Sequence, residues 1–148
     1  MNFTTIAFDQ LTVRQLYQIY KLRVAVFVVE QHCPYQEVDD TDLTAWHLLG
    51  QDQQGHLIAY ARLMQEANHQ ARIGRVLTNP DFRGQGAGKQ LVQRALEQVN
   101  ALWPETSQVN IQAQHYLDRF YRRFGFEPVS AVYLEDGIPH QDMVLKLR

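Results

Sequence analysis

Two rhythms of apolar residues alternate along this chain, and the breaks between them predict its elements. Residues 2–8 read as a short strand, which Asp9 turns. Thr12 is placed to cap a helix with Leu16, Ile19, Tyr20, Val24 and Phe27 on one face, running to about Glu30. Its end, residues 25–30, is apolar nearly all round, the pattern of a helix end buried on two sides. Residues 31–44 have no apolar period and read as a loop. Its carboxylates Glu37, Asp39, Asp40 and Asp42 are expected in solvent, or else as a pocket wall that attracts a cationic amine. The loop lacks the ligand order of a calcium site.

Residues 45–50 and 57–64 read as strands around the polar hairpin signal 51–55. After a polar break at 66–70 comes a third strand, 72–78. Then Leu91, Val92, Ala95, Leu96 and Val99 recur at helical spacing until Trp103-Pro104-Glu105 stops them. Residues 109–113 alternate as a strand. A helix over about 115–124 is stopped by Gly125. Residues 129–134 and 143–147 read as a closing hairpin, turned by Asp-Gly-Ile-Pro. The order is β-α-β-β-β-α-β-α-β-β, an α+β domain around one mixed sheet.

Between the third strand and its helix lies Pro80-Asp81-Phe82-Arg83-Gly84-Gln85-Gly86-Ala87-Gly88-Lys89. A glycine-rich turn that opens a helix cradles anions. The first helical N–H groups have no internal partner, and the macrodipole adds about half a positive charge. Glycines let a phosphate approach the backbone. A P-loop would need a glycine where Arg83 stands and a hydroxyl where Gln90 stands. The dinucleotide fingerprint would need a glycine at Lys89. The pattern R-x-x-G-x-G fits fully, with Arg83, Gly86 and Gly88.

That pattern resembles the acetyl-CoA loop of the GNAT N-acetyltransferases, and the resemblance covers nearly the whole chain. Cys33-Pro34-Tyr35, Phe120-Tyr121-Arg122-Arg123-Phe124-Gly125-Phe126 and the run 136–140 are similar to its ElaA-like branch. The resemblance implies the GNAT (acyl-CoA N-acyltransferase) fold, a central mixed and largely antiparallel sheet flanked by helices, with two central strands splayed around the pantetheine arm. It implies acetyl-CoA as co-substrate and an amine acceptor as the other partner.

Composition narrows this further. The 148 residues suit one domain, 1–148. A net charge of −2 implies no general nucleic-acid surface. With one cysteine, Cys33, there is no internal disulfide, which suits a reducing cytoplasm. No apolar run approaches the roughly 20 residues of a membrane span, and no signal-peptide pattern opens the chain. No cysteine–histidine cluster suggests a metal. A homodimer is compatible with the sequence.

Acyl transfer to an amine sets four needs. The cofactor must be held, and N–H groups from Arg83 through Gly84, Gln85, Gly86, Ala87 and Gly88 to Lys89 suit a diphosphate, with the Arg83 and Lys89 side chains adding charge. The thioester carbonyl must be polarised; by resemblance the backbone of Val76, Leu77 and Thr78 pairs with pantetheine and aims one N–H at the acyl oxygen, a donor able to contribute about 3 kcal/mol. Gln114 stands where many GNAT chains carry an asparagine that contacts pantetheine. The leaving thiolate must be stabilised, and the family places the tyrosine of the motif at Tyr121 as general acid. Proton transfer from an ordinary phenol to a thiolate is uphill by about 2 kcal/mol, so a strong hydrogen bond serves equally. Finally, a lysine-like amine is neutral about once in two thousand molecules at pH 7, so a base is required. Some GNAT enzymes place a glutamate on the strand before the loop, where this chain has Gly74 and Arg75. Glu30, His47, His115 and His140 are the substitutes, His140 first and His115 second. Cys33 reads as packing, and a covalent acyl-cysteine has no support. Two other readings stay open: an acyl-CoA-binding module without catalysis, and a nucleotide-binding protein.

Overall fold

A computed structural model describes residues 1–147; the expected domain extends one further, to Arg148, which lies outside the described residues. The elements follow as β1 (Asn2–Ala7), α1 (Val13–Val24), β2 (Trp46–Gln51), β3 (Leu57–Glu66), β4 (Gln70–Thr78), α2 (Ala87–Leu102), β5 (Gln108–Gln114), α3 (Asp118–Arg122), β6 (Glu127–Pro128), β7 (Tyr133–Glu135) and β8 (Ile138–Lys146). They form one sheet in the order β1-β2-β3-β4-β5-β8-β6, with β7 also on β8.

Thr12 caps α1 as expected, in a reciprocal box. Its hydroxyl accepts from the Gln15 N–H at 3.1 Å while the Gln15 side chain accepts from the Thr12 N–H at 2.9 Å. The helix then widens into a π turn, Ala25–Glu30. Val26, Val28 and Val29 fall here, directly after Val24, and β-branched side chains crowd the tighter α turn.

Each sheet face carries its own core. Leu91, Val92, Ala95 and Val99 of α2 pack on Ala59, Ala61, Leu63, Ala71, Ile73, Val109 and Ile111. On the other face, Ile19, Leu22 and Val26 pack on Leu49, Leu57, Tyr60 and Leu77. Strand β3 is therefore covered on both sides, which is why its sequence is a near-continuous apolar run.

The joint between β4 and β5 positions the site. These strands run parallel and pair only at Gln70↔Gln108, Ala71↔Val109 and Arg72↔Asn110. Beyond that they part, leaving the facing edges of residues 73–78 and 111–114 without ladder partners; the splay implied by the resemblance is present. On its other side β4 carries a bulge. Tyr60 opposes Leu77 and Arg62 opposes Gly74, so Arg75 and Val76 share the single partner Ala61. Arg75 has φ 51° there, a left-handed conformation disfavoured for an L side chain.

The loop 31–44 departs from expectation. Glu37 and Asp42 are 3% and 1% exposed, not solvated. Arg23, from inside α1, holds both: Nε reaches the Glu37 carboxylate at 3.0 and 3.1 Å, and Nη1 reaches Asp42 at 2.7 Å. Arg62 of β3 binds Asp39 and Asp42 at 2.7 and 3.1 Å, and Arg75 of β4 binds Glu37 at 2.5 Å. Buried carboxylates need such partners. With these charges matched, the cluster is a structural tie and not a bare negative wall; only Asp40 is exposed as expected.

The end of the chain also differs. The expected helix over 115–124 is a short 3₁₀ turn, His115–Leu117, followed by α3. The closing hairpin turns at Asp136 and Gly137 alone, both with positive φ of 50° and 78°, as a two-residue primed turn requires. Pro139, expected in the turn, lies within β8.

Candidate active site

A cavity of about 800 Å³ opens where β4 and β5 part. Its walls come from seven places: the π turn, loop 31–39, Arg62 and Met64 of β3, residues 72–78 of β4, the glycine loop, β5 with the turn and helix after it, and the β7–β8 turn.

The cofactor end is built from backbone. Among the described residues, no acceptor engages the N–H groups of residues 83–89. Gly86 is the N-cap of α2, with φ 74°, and Gly84 has φ 86°. A Cβ built at either would meet nothing within 4 Å, so conformation, not crowding, demands glycine there. Gly88 differs: it lines the cavity, with Phe120 3.7 Å from its would-be Cβ. Asn79 fixes the loop's entry, its amide donating to Leu57 O at 3.0 Å and its oxygen accepting from the Asp81 N–H.

Of the expected cofactor residues, Val76, Leu77, Thr78, Arg83, Gly88 and Gln114 line the cavity. Gly84, Gln85, Gly86, Ala87 and Lys89 do not: Gly84, Gln85 and Gly86 are exposed on the loop, Gln85 lining a second, smaller pocket with Met1 and Asp52, while Ala87, buried, and Lys89, exposed, stand in the first turn of α2. The Arg83 guanidinium is engaged by Glu30, at 2.8 and 3.3 Å. Both side chains are more than two-fifths exposed, so this pair is weak and exchangeable.

Tyr121 stands in the wall from α3, 6% exposed. Its ring is held edge-on by Phe120 and Phe126, with centroids at 5.1 and 5.9 Å. No described residue hydrogen-bonds its hydroxyl. Burial pushes the phenol well above the usual tyrosine value. It is therefore a neutral donor at neutral pH.

His140 lines the cavity from β8, in register with Gln114 of β5. Its Nδ1 lies 2.7 Å from Ile138 O, which makes Nδ1 the protonated nitrogen and leaves Nε2 as the acceptor. Its ring stacks on Tyr133 at 6.3 Å, and the Tyr133 hydroxyl donates to Asp142 at 2.5 Å. Burial, and that hydrogen bond with Asp142, push the Tyr133 phenol up to about 12.

Of the other base candidates, Glu30 lines the cavity from the π turn, with its carboxylate paired to Arg83, while the two histidines are placed elsewhere. His115 is exposed on its 3₁₀ turn and does not line the cavity. His47 is fully buried, with Nδ1 2.6 Å from Tyr60 Oη and Nε2 2.9 Å from Asp42 O. Burial lowers its pKa, and both nitrogens are occupied, so it is a structural histidine. Cys33 is buried in the cavity wall, its thiol 3.5 Å from Asp136 O, and burial raises its pKa. It ties the loop to the β7–β8 turn.

Sequence reasoning missed Arg62, Tyr35, Glu135 and Asp136 as cavity residues. One signal was available for Arg62: a lone charge inside the apolar run of β3 implies a buried counter-charge.

The model of the acetyltransferase (GNAT) domain matches residues 14–147. A UPF0039 protein of Schizosaccharomyces pombe is 44% identical over 99% of this chain and 98% of its own length. Protein ElaA of Escherichia coli is 46% identical over 91% and 90%. Among solved structures, an acyl-CoA N-acyltransferase from Pseudomonas aeruginosa superposes with a TM-score of 0.90 at 43% identity, covering 98% of this chain and 99% of that one.

Proposed function

This chain belongs to the GNAT acetyltransferase family, and we propose that, as a single-domain enzyme, it transfers an acetyl group from acetyl-CoA to a primary amine of a small molecule or peptide, by direct attack in a ternary complex. Acyl-CoA as a ligand follows from the family; the acetyl donor and the amine acceptor are this reading's own. One observation carries it. A single cavity holds an unpaired strand edge, a buried phenol and a histidine, and it meets the run of unpartnered amides at a helix start through Arg83 and Gly88.

The donor group fits this arrangement. Diphosphate oxygens would take the N–H groups of residues 83–89, with Arg83 released from Glu30 to add charge. The amide chain of pantetheine would complete the open edge of β4 along Val76, Leu77 and Thr78, with Gln114 opposite. Bound there, acetyl-CoA supplies an activated acyl group on a thiol leaving group.

The protein's residues supply the rest. A β4 amide beside the bulge donates to the acyl oxygen as negative charge grows on it. Nε2 of His140 takes the proton of the incoming ammonium, directly or through water, so that a neutral amine attacks. As the C–N bond forms and the C–S bond breaks, the Tyr121 hydroxyl donates a hydrogen bond to the departing thiolate, and the second amine proton passes to that thiolate or to water. Its raised pKa makes full proton transfer costly, so the hydrogen bond itself is the contribution.

The test is CoA release from acetyl-CoA across a library of primary amines, with a parallel thermal-shift panel. Amine-dependent release supports the proposal. Stabilisation by acetyl-CoA with no turnover for any amine would make the chain a binding module. Stabilisation by ATP or NAD but not acetyl-CoA would refute the cofactor assignment.

A further inference from the structure

We propose that Glu37 and Arg75 form a positioning clamp whose task is to hold the β4 bulge in its left-handed conformation; the role of that bulge in catalysis rests on the proposed function above. Bulges of this kind usually place glycine at the left-handed residue. Here the glycine is one position early, at Gly74, and Arg75 takes φ 51° with a full side chain. Something must hold it there.

The structure shows what does. Arg75 Nε donates to Glu37 Oε2 at 2.5 Å, and Nη2 donates to the Glu37 carbonyl at 2.8 Å. The guanidinium also lies over the Tyr35 ring, 5.6 Å from its centroid. Glu37 is itself fixed, because Arg23 binds its carboxylate and its carbonyl from inside α1. The facing strand is held by the same set of charges: Arg62, which opposes Gly74, binds Asp42, and Asp42 returns to Arg23. A closed circuit from α1 thus grips both strands at the bulge. Residues 73–78 on this stretch all line the cavity.

A plainer account has Arg75 only anchoring the loop, or touching substrate directly. The backbone separates the two. Glycine adopts a positive φ freely, asparagine tolerates it, and alanine resists it. Arg75→Gly, Arg75→Asn and Arg75→Ala all remove the guanidinium, yet only the clamp hypothesis ranks them. We expect Arg75→Ala to lose about tenfold in kcat, the ratio that the left-handed penalty of an L residue corresponds to. Arg75→Gly should keep kcat within about threefold and Arg75→Asn should fall between, with KM for acetyl-CoA little changed throughout. Equal losses in all three would assign the role to the side chain and overturn the proposal. No loss in any would overturn it too. Should the wild type turn over no amine, the proposed function fails on its own. The clamp is then read from crystal structures of the variants, where residue 75 should keep a positive φ as Gly or Asn and lose it as Ala. A positive φ in the alanine variant would refute the clamp. If alanine does not fold, the glycine and asparagine variants against wild type still give the ranking.

Discussion

Replacing Tyr121 by phenylalanine removes one oxygen and little else. The ring stays between Phe120 and Phe126, whose edge-on contacts do not involve the hydroxyl. The hydroxyl has no hydrogen-bond partner among the described residues, so deletion leaves no stranded group there. The melting temperature should therefore hold or rise slightly. The catalytic loss is that of one hydrogen bond to a charged acceptor, about 1.5–3 kcal/mol. That converts to a fall in kcat of roughly 10- to 150-fold. KM for acetyl-CoA should barely move, because the bond strengthens only as the sulfur gains charge. Because burial raises the phenol's pKa, the basic limb of the pH–rate profile should be the same in Tyr121→Phe and wild type. An acyl thioester with a more acidic leaving thiol needs less help and should show a smaller penalty. Steady-state kinetics with acetyl-CoA and an activated thioester tests all of this. An unchanged kcat, or a loss confined to KM, would remove Tyr121 from leaving-group stabilisation.

Gly86→Val should weaken acetyl-CoA binding by more than about tenfold through its φ of 74°, whereas Gly55→Val, equally left-handed at 83° but in the β2–β3 turn, should leave affinity intact; calorimetric titration of both variants checks it. His140→Ala should lower kcat/KM for the amine at neutral pH, with the deficit shrinking as pH nears about 10, where a lysine-like amine is neutral unaided; a constant deficit would refute a base role. Asp42→Asn strips a charge from between Arg23 and Arg62 and should cost about 3–5 kcal/mol in denaturant unfolding. Burial alone would raise the Asp42 pKa, but hydrogen bonds and charge from Arg23 and Arg62 outweigh it and hold it low, as they do Asp39. Carboxylates lowered in the folded state contribute stability above their unfolded pKa of about 4 and lose it as pH falls further. Wild-type stability should accordingly drop below about pH 4, and Asp42→Asn should show a shallower drop.

The elements that local chemistry dictates were legible in advance. Thr12 announces the start of α1, and the spacing of Leu91, Val92, Ala95 and Val99 announces α2. The cofactor loop was legible because its glycines act through their own backbone. What escaped was whatever depends on distant partners. Glu37 and Asp42 look solvated in sequence because Arg23, Arg62 and Arg75, which bury them, arrive from three other elements. Pro139 reads as a turn residue, yet it sits in β8 beyond the end of β5, where one side of its ladder has no partner to lose. The sequence ranks His140 only just ahead of His115; the sheet register is what brings His140 opposite Gln114, while His115 lies outside the cavity.

The seam between β4 and β5 has a mechanical consequence. With three paired positions at one end and none beyond, the sheet is two leaves bound along a short spine. The α2 core spans both leaves, but among the described residues no backbone pairing ties their free margins. A guest laid along the seam becomes the missing stitching, so its arrival should stiffen residues 73–78 and 111–114 together. Hydrogen exchange of those two margins, slowed in concert by acetyl-CoA, would register the leaves closing.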